Sequence, residues 1–84
     1  VTKRTFDQIL GDKLRIKREQ LSKTLDDVEF EAKISEGHLT KIENGRSGPS
    51  AYTLFKLYNL LQINVNGIFD EINNELNNIE EDEH

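Results

Sequence analysis

Eighty-four residues, 35% of them hydrophobic, can bury one small core and no more. The absence of cysteine excludes a disulfide framework, a cysteine-ligated metal and a cysteine nucleophile, and no apolar run approaches the roughly 20 residues of a membrane span. The net charge of −5 argues against a polyanionic partner only if it is spread evenly, and it is not: residues 1–25 balance to +4, 26–46 to −3, 47–69 to +1 and 70–84 to −7. Local potential is what a ligand feels, because screening confines the acidic end to about 8 Å at physiological salt.

In chain order, Phe6, Ile9, Leu10, Leu14 and Leu21 fall on one face with Lys and Arg opposite, which predicts helix 1 at about 5–20. The stretch VTKRTFDQIL is polar throughout, so no signal peptide is expected in it. Thr24 with Asp27 three residues on is a capping-box-like start, so helix 2 is expected at about 25–32, burying Leu25 or Val28 with Ala32. Ser35 is the next N-cap candidate, and helix 3 is expected at about 36–43, burying Leu39 and Ile42 and stopping at Gly45. The segment 44–50, NGRSGPS, is the one clear loop. Ser50 caps helix 4 at about 51–61, with Leu54, Leu57, Leu60 and Leu61 inward. Asn66 is the expected cap of helix 5, starting near Gly67 and burying Ile68 and Phe69. The fold class is all-α: five helices around Ile34, Leu39, Ile42, Leu54, Leu57 and Leu61, with the last helix extended.

Residues 24–45, TLDDVEFEAKISEGHLTKIENG, then stand out as two short helices joined by a tight turn. That is the plan of a helix-turn-helix, whose second helix lies in a DNA major groove.

The run from residue 8 to 70 resembles the Xre/Cro family of phage-repressor-like DNA-binding domains. The resemblance rests on Leu14, Arg15 and Arg18 in helix 1, Thr24 opening helix 2, Leu39, Ile42, Glu43 and Gly45 ending helix 3, Pro49 and Ser50 before helix 4, and the apolar pair Ile68 and Phe69. It departs from the family pattern where Glu29 replaces a small residue, Lys33 a turn glycine and Leu25 a glutamine. At Glu29 the expectation is a looser crossing of helices 2 and 3, or a carboxylate swung to solvent.

The resemblance implies an ion pair between Arg18 and Glu43. It places Glu36, Gly37, His38 and Lys41 at base edges, with Lys41 able to donate to guanine O6 and N7 and Glu36 to accept from cytosine N4. Phosphate contacts are expected from Lys23, Thr24, Thr40, Asn44, Arg46 and Ser47. Lys3, Arg4, Lys13, Arg15 and Lys17 read, each taken alone, as a solvated face.

Ile68, Ile72, Leu76 and Ile79 form a helical stripe extending past the compact domain, so a homodimer interface is expected there, the alternative being that the stripe folds back on helix 1 or frays within the Asn-rich tail. The division is a helix-turn-helix domain at 1–72 and an acidic, Asn-rich tail or dimerisation extension at 73–84. The closing EEDEH is expected to be disordered, and the tail to be open to a protein partner. No catalytic constellation, metal set or cofactor motif is present in the sequence. The expected function is a sequence-specific regulator of transcription, a repressor binding a palindromic operator on double-stranded DNA, in the cytoplasm at the nucleoid. The alternative is a protein-interaction module, such as an antitoxin or the DNA-binding part of a larger sensor.

Overall fold

Five helices follow one another in the computed structural model: α1 Phe6–Gln20, α2 Leu25–Ala32, α3 His38–Glu43, α4 Ala51–Leu61 and α5 Val65–Asp82, with no strand among the described residues. The structure describes the backbone of residues 4–82 and the side chains of residues 4–77. No helix is long and apolar enough to cross a membrane.

Each start is chemically specified. Thr5 and Gln8 form a capping box at α1, with the Thr5 N–H donating to Gln8 Oε1 at 2.8 Å and the Gln8 N–H to Thr5 Oγ1 at 3.1 Å. Thr24 and Asp27 repeat it at α2, at 3.1 and 3.0 Å. The Thr24 N–H and then its hydroxyl hold the Asp27 carboxyl below its ordinary pKa. The Ser50 hydroxyl accepts from the Thr53 N–H at α4.

Helix 5 starts two residues before the expected point. Asn64, not Asn66, is its cap, accepting from the Gly67 N–H at 3.0 Å. Two asparagines compete for the role, and burial of Ile63 together with packing of Val65 on the core decides between them.

The core joins Ile9, Leu10 and Leu14 of α1, Val28 of α2, Leu39 and Ile42 of α3, Leu57 and Leu61 of α4, Ile63, and Ile72 of α5. Ile34, Leu54 and Leu60 pack on it half-buried. Phe69, expected inside, is 40% exposed and pairs instead with Phe6, ring centroids 6.2 Å apart.

The stripe on α5 is also corrected. Ile72 is 2% exposed within its own chain, and Ile68 and Leu76 pack half-buried on the same core. Two four-residue steps, from Ile68 to Ile72 to Leu76, keep one face of the helix, and α5 lays that face on α1 rather than holding it out. Ile79 lies outside the described side chains. The helix runs without a break across residues 72 and 73, and its backbone continues through Asp82, into the EEDEH segment expected to be disordered.

Candidate nucleic-acid interface

The two-helix unit begins with α2 and turns at Lys33, whose φ of 55° and ψ of 48° are left-handed. A lysine there costs about 1–2 kcal/mol that a glycine would not. The turn is closed around it: the Ile34 N–H donates to the Glu29 carbonyl at 2.8 Å, and Lys56 Nζ donates to the Lys33 carbonyl at 3.1 Å.

Helix α3 begins at His38, two residues later than expected. Ser35 does not cap it; its carbonyl accepts from the His38 N–H at 3.0 Å, closing a turn that contains Glu36 and Gly37. Gly37 is the N-cap, at φ +81°, where a side chain would be strained. The glycine is therefore a turn requirement and not a weak point inside a helix.

Gly37 offers no side chain to the helix start. Glu29 supplies one. Its residue is 7% exposed, and its carboxylate accepts from the Leu39 N–H at 3.1 Å. The expectation of a carboxylate swung to solvent at Glu29 is overturned: the N–H groups at the start of α3 are a better partner for a buried carboxylate than an apolar wall.

The other end of α3 is held by α1. Arg18 Nε and Nη2 donate to the two Glu43 oxygens at 2.8 and 3.0 Å, and Arg18 Nη1 donates to the Lys23 carbonyl at 2.8 Å. The pair is largely withdrawn from solvent, with side chains 11% and 6% exposed. The Glu43 carboxylate raises the Arg18 guanidinium above its ordinary pKa. Gly11 lets the two helices come this close. A Cβ there would meet the Ile42 carbonyl oxygen and lie 2.8 Å from that of Glu43.

With α3 fixed from behind, its outer side carries Thr40, Lys41 and Asn44, all exposed, with Glu36 and Gly37 exposed in the preceding turn and His38 half-buried. Arg46 is exposed and Ser47 half-buried just beyond, and the Arg46 and Ser47 N–H groups both donate to the Lys41 carbonyl. Any contact from these two to a ligand therefore comes from their side chains. Lys41 and Arg46 have no ion pair among the described residues. At the α2 end, Thr24 is exposed. Lys23 is engaged with Glu31 at 3.1 Å.

Arg4, just before α1, and the cations Lys13 and Arg15 within it are used differently. Arg4 meets Glu75 through two hydrogen bonds, at 2.9 and 2.6 Å, and also reaches Asp12; Lys13 meets Glu71 at 3.5 Å; Arg15 meets Asp12 and Glu19. The acidic α5 thus neutralises part of the basic head. Sequence reasoning saw both charge blocks but had no signal for which would meet. Gly11 was likewise invisible, since a glycine inside an amphipathic helix announces no particular neighbour.

No curated protein matches this chain. A family model described as a helix-turn-helix domain matches residues 11–73, well over half of the sequence, from Gly11 in α1 to Asn73 in α5. The chain belongs to the helix-turn-helix domain family, and it is a DNA-binding domain on that membership.

Proposed function

We propose that this chain is a sequence-specific regulator of transcription, a repressor that reads a palindromic operator as a homodimer and acts in the compartment that holds the DNA. The observation that carries the reading is the outer side of α3. Lys41, Thr40 and Asn44, with Arg46 beyond them, are exposed on a helix that buried polar contacts hold at both ends. Lys41 and His38 read base edges, with Glu36 and the Gly37 backbone at the entrance to the groove. Thr24, Thr40, Asn44, Arg46 and Ser47 bind phosphate, and Lys23 joins them by leaving Glu31.

The homodimer uses a different surface from the α5 stripe, because Ile72 is spent on the core. Tyr52, Phe55 and Tyr58 of α4 are exposed, and Ala51, Leu54 and Val65 complete an apolar depression with Phe55 and Tyr58. This face follows directly on the loop that carries Arg46 and Ser47. Phe55→Asp should turn a sedimenting dimer into a monomer. A wild-type chain that remains monomeric at high micromolar concentration, with and without operator, removes the dimer.

Selection of binding sites from random duplex DNA at two salt concentrations tests the whole reading. The expected result is an inverted repeat with half-site centres about 10 bp apart. Recovery of no motif, with residual binding that vanishes steeply with salt, overturns it. The exposed aromatics of α4 also suit the alternative, a module that docks on a second protein. Recovery of a complex at fixed stoichiometry through those residues would favour that alternative.

A further inference from the structure

We propose that Glu29 is a positioning residue for base readout: its carboxylate, reaching across from α2, serves as the capping side chain that Gly37, the N-cap of the recognition helix, cannot supply. The proposal rests on the reading of α3 as the DNA-reading helix.

A helix of six residues is far below the roughly 12–15 that hold together alone, so its start and direction come from outside contacts. At its C-terminal end these are Arg18–Glu43 and the close approach at Gly11. At its N-terminal end Gly37 contributes no side chain, the His38 N–H is taken by Ser35, and Lys41 begins the helical ladder on the Gly37 carbonyl at 3.4 Å. The Leu39 N–H is left for Glu29.

The same residue also closes the turn. The Glu29 carbonyl accepts from Ile34 and from Lys33 while its carboxylate accepts from Leu39. One residue of α2 thus engages the first residues after α2 and the first turn of α3. A local cap, such as a serine at residue 37, would travel with α3. A cap rooted in α2 fixes α3 relative to α2, and the groove contacts of His38 and Lys41 inherit that angle. Burial strengthens the effect, since the carboxylate has left water and its remaining partner is this helix start.

The test uses the full chain with Glu29→Gln and Glu29→Met. Glutamine keeps an oxygen that accepts the Leu39 N–H. Methionine fills the same volume with no acceptor, so no cavity confuses the result. Readouts are affinity for the selected operator, affinity for a scrambled duplex, Leu39 amide exchange and thermal melting. Glu29→Met is expected to lose roughly tenfold to a hundredfold in operator affinity. Its scrambled-duplex affinity should stay within about twofold, because phosphate contacts carry that binding. Its Leu39 amide should exchange faster by a similar factor, while the melting temperature holds or rises. Glu29→Gln should restore both operator affinity and Leu39 protection to within a few fold.

Three results overturn the proposal: unchanged Leu39 exchange in Glu29→Met, equal loss on operator and scrambled duplex, or no rescue by Glu29→Gln. A wild-type chain that selects no operator fails the proposed function instead. Leu39 exchange, which needs no DNA, still judges the cap.

Discussion

Two sides of this molecule spend the same kinds of charge in different ways. Along α1 and α5, acids answer bases: Arg4 with Glu75, Lys13 with Glu71, Arg15 with Asp12. At the starts of α2 and α3, acids answer backbone: Asp27 binds the N–H of Thr24, and Glu29 that of Leu39. The first arrangement cancels cations; the second leaves Lys41 and Arg46 without an ion pair among the described residues. The negative net charge therefore says little about the face that meets a polyanion. The lesson is that carboxylates near a nucleic-acid surface are tolerable when helix N–H groups hold them.

The contact that joins the two sides gives the largest expected effect. Arg18→Ala or Glu43→Ala strands a buried charge and should cost about 3–5 kcal/mol in urea unfolding. A loss below about 1 kcal/mol would make the pair an ordinary surface bridge. Gly11→Ala comes next, at about 1–3 kcal/mol, because α1 must move off the Ile42 and Glu43 carbonyls to admit the methyl group. A double variant of Gly11 and Arg18 should lose less than the sum, since both act on one contact between α1 and α3.

On the α3 side, Lys41→Ala should leave melting unchanged and cost about 1–3 kcal/mol of operator binding, with relaxed preference at one base position. Arg46→Ala should weaken operator and scrambled duplex alike and lower the salt slope by about one. If Lys41→Ala behaves in the same way, its role is phosphate binding and the base reading moves to His38.

The helix plan was legible because the signals are local. Thr24 with Asp27 marked α2 to the residue, and Ser50 with its leucine series marked α4. The ion pair of Arg18 and Glu43 came through the family resemblance and is present. What failed was non-local or competitive. Gly37 takes a left-handed backbone only because the turn needs one, and this shortened α3 by two residues. Asn64 and Asn66 carry equal cap chemistry, and burial of Ile63 chose the first. Ile72 read as surplus hydrophobicity, because the room left beside α1 is a property of the assembled core. Glu29 was visible as an anomaly, but its partner lies ten residues on, in a backbone group that every residue possesses.

The smallest effect is one of pH, and it compares the two uses of acid directly. The Arg4 hydrogen bonds hold Glu75 below its ordinary 4.5, the Arg15 hydrogen bond does the same for Asp12 below 3.8, and the Thr24 N–H does so for Asp27. A carboxyl depressed in the folded state contributes stability that is fully present above its unfolded value and is lost as pH falls through the folded one. Melting should therefore be level above about pH 5 and decline below the ordinary Asp and Glu values. Added salt should weaken the Glu75 and Asp12 contributions, which rest on exposed ion pairs worth roughly 0.2–1 kcal/mol. It should spare more of the Asp27 contribution, whose first cause is a backbone N–H in its own capping box. Glu75→Gln and Asp27→Asn, melted from pH 6 to 2.5 at low and high salt, separate the two. Identical salt responses would mean that the capping box is held by charge as the α1–α5 pairs are, and the contrast between the two sides would dissolve.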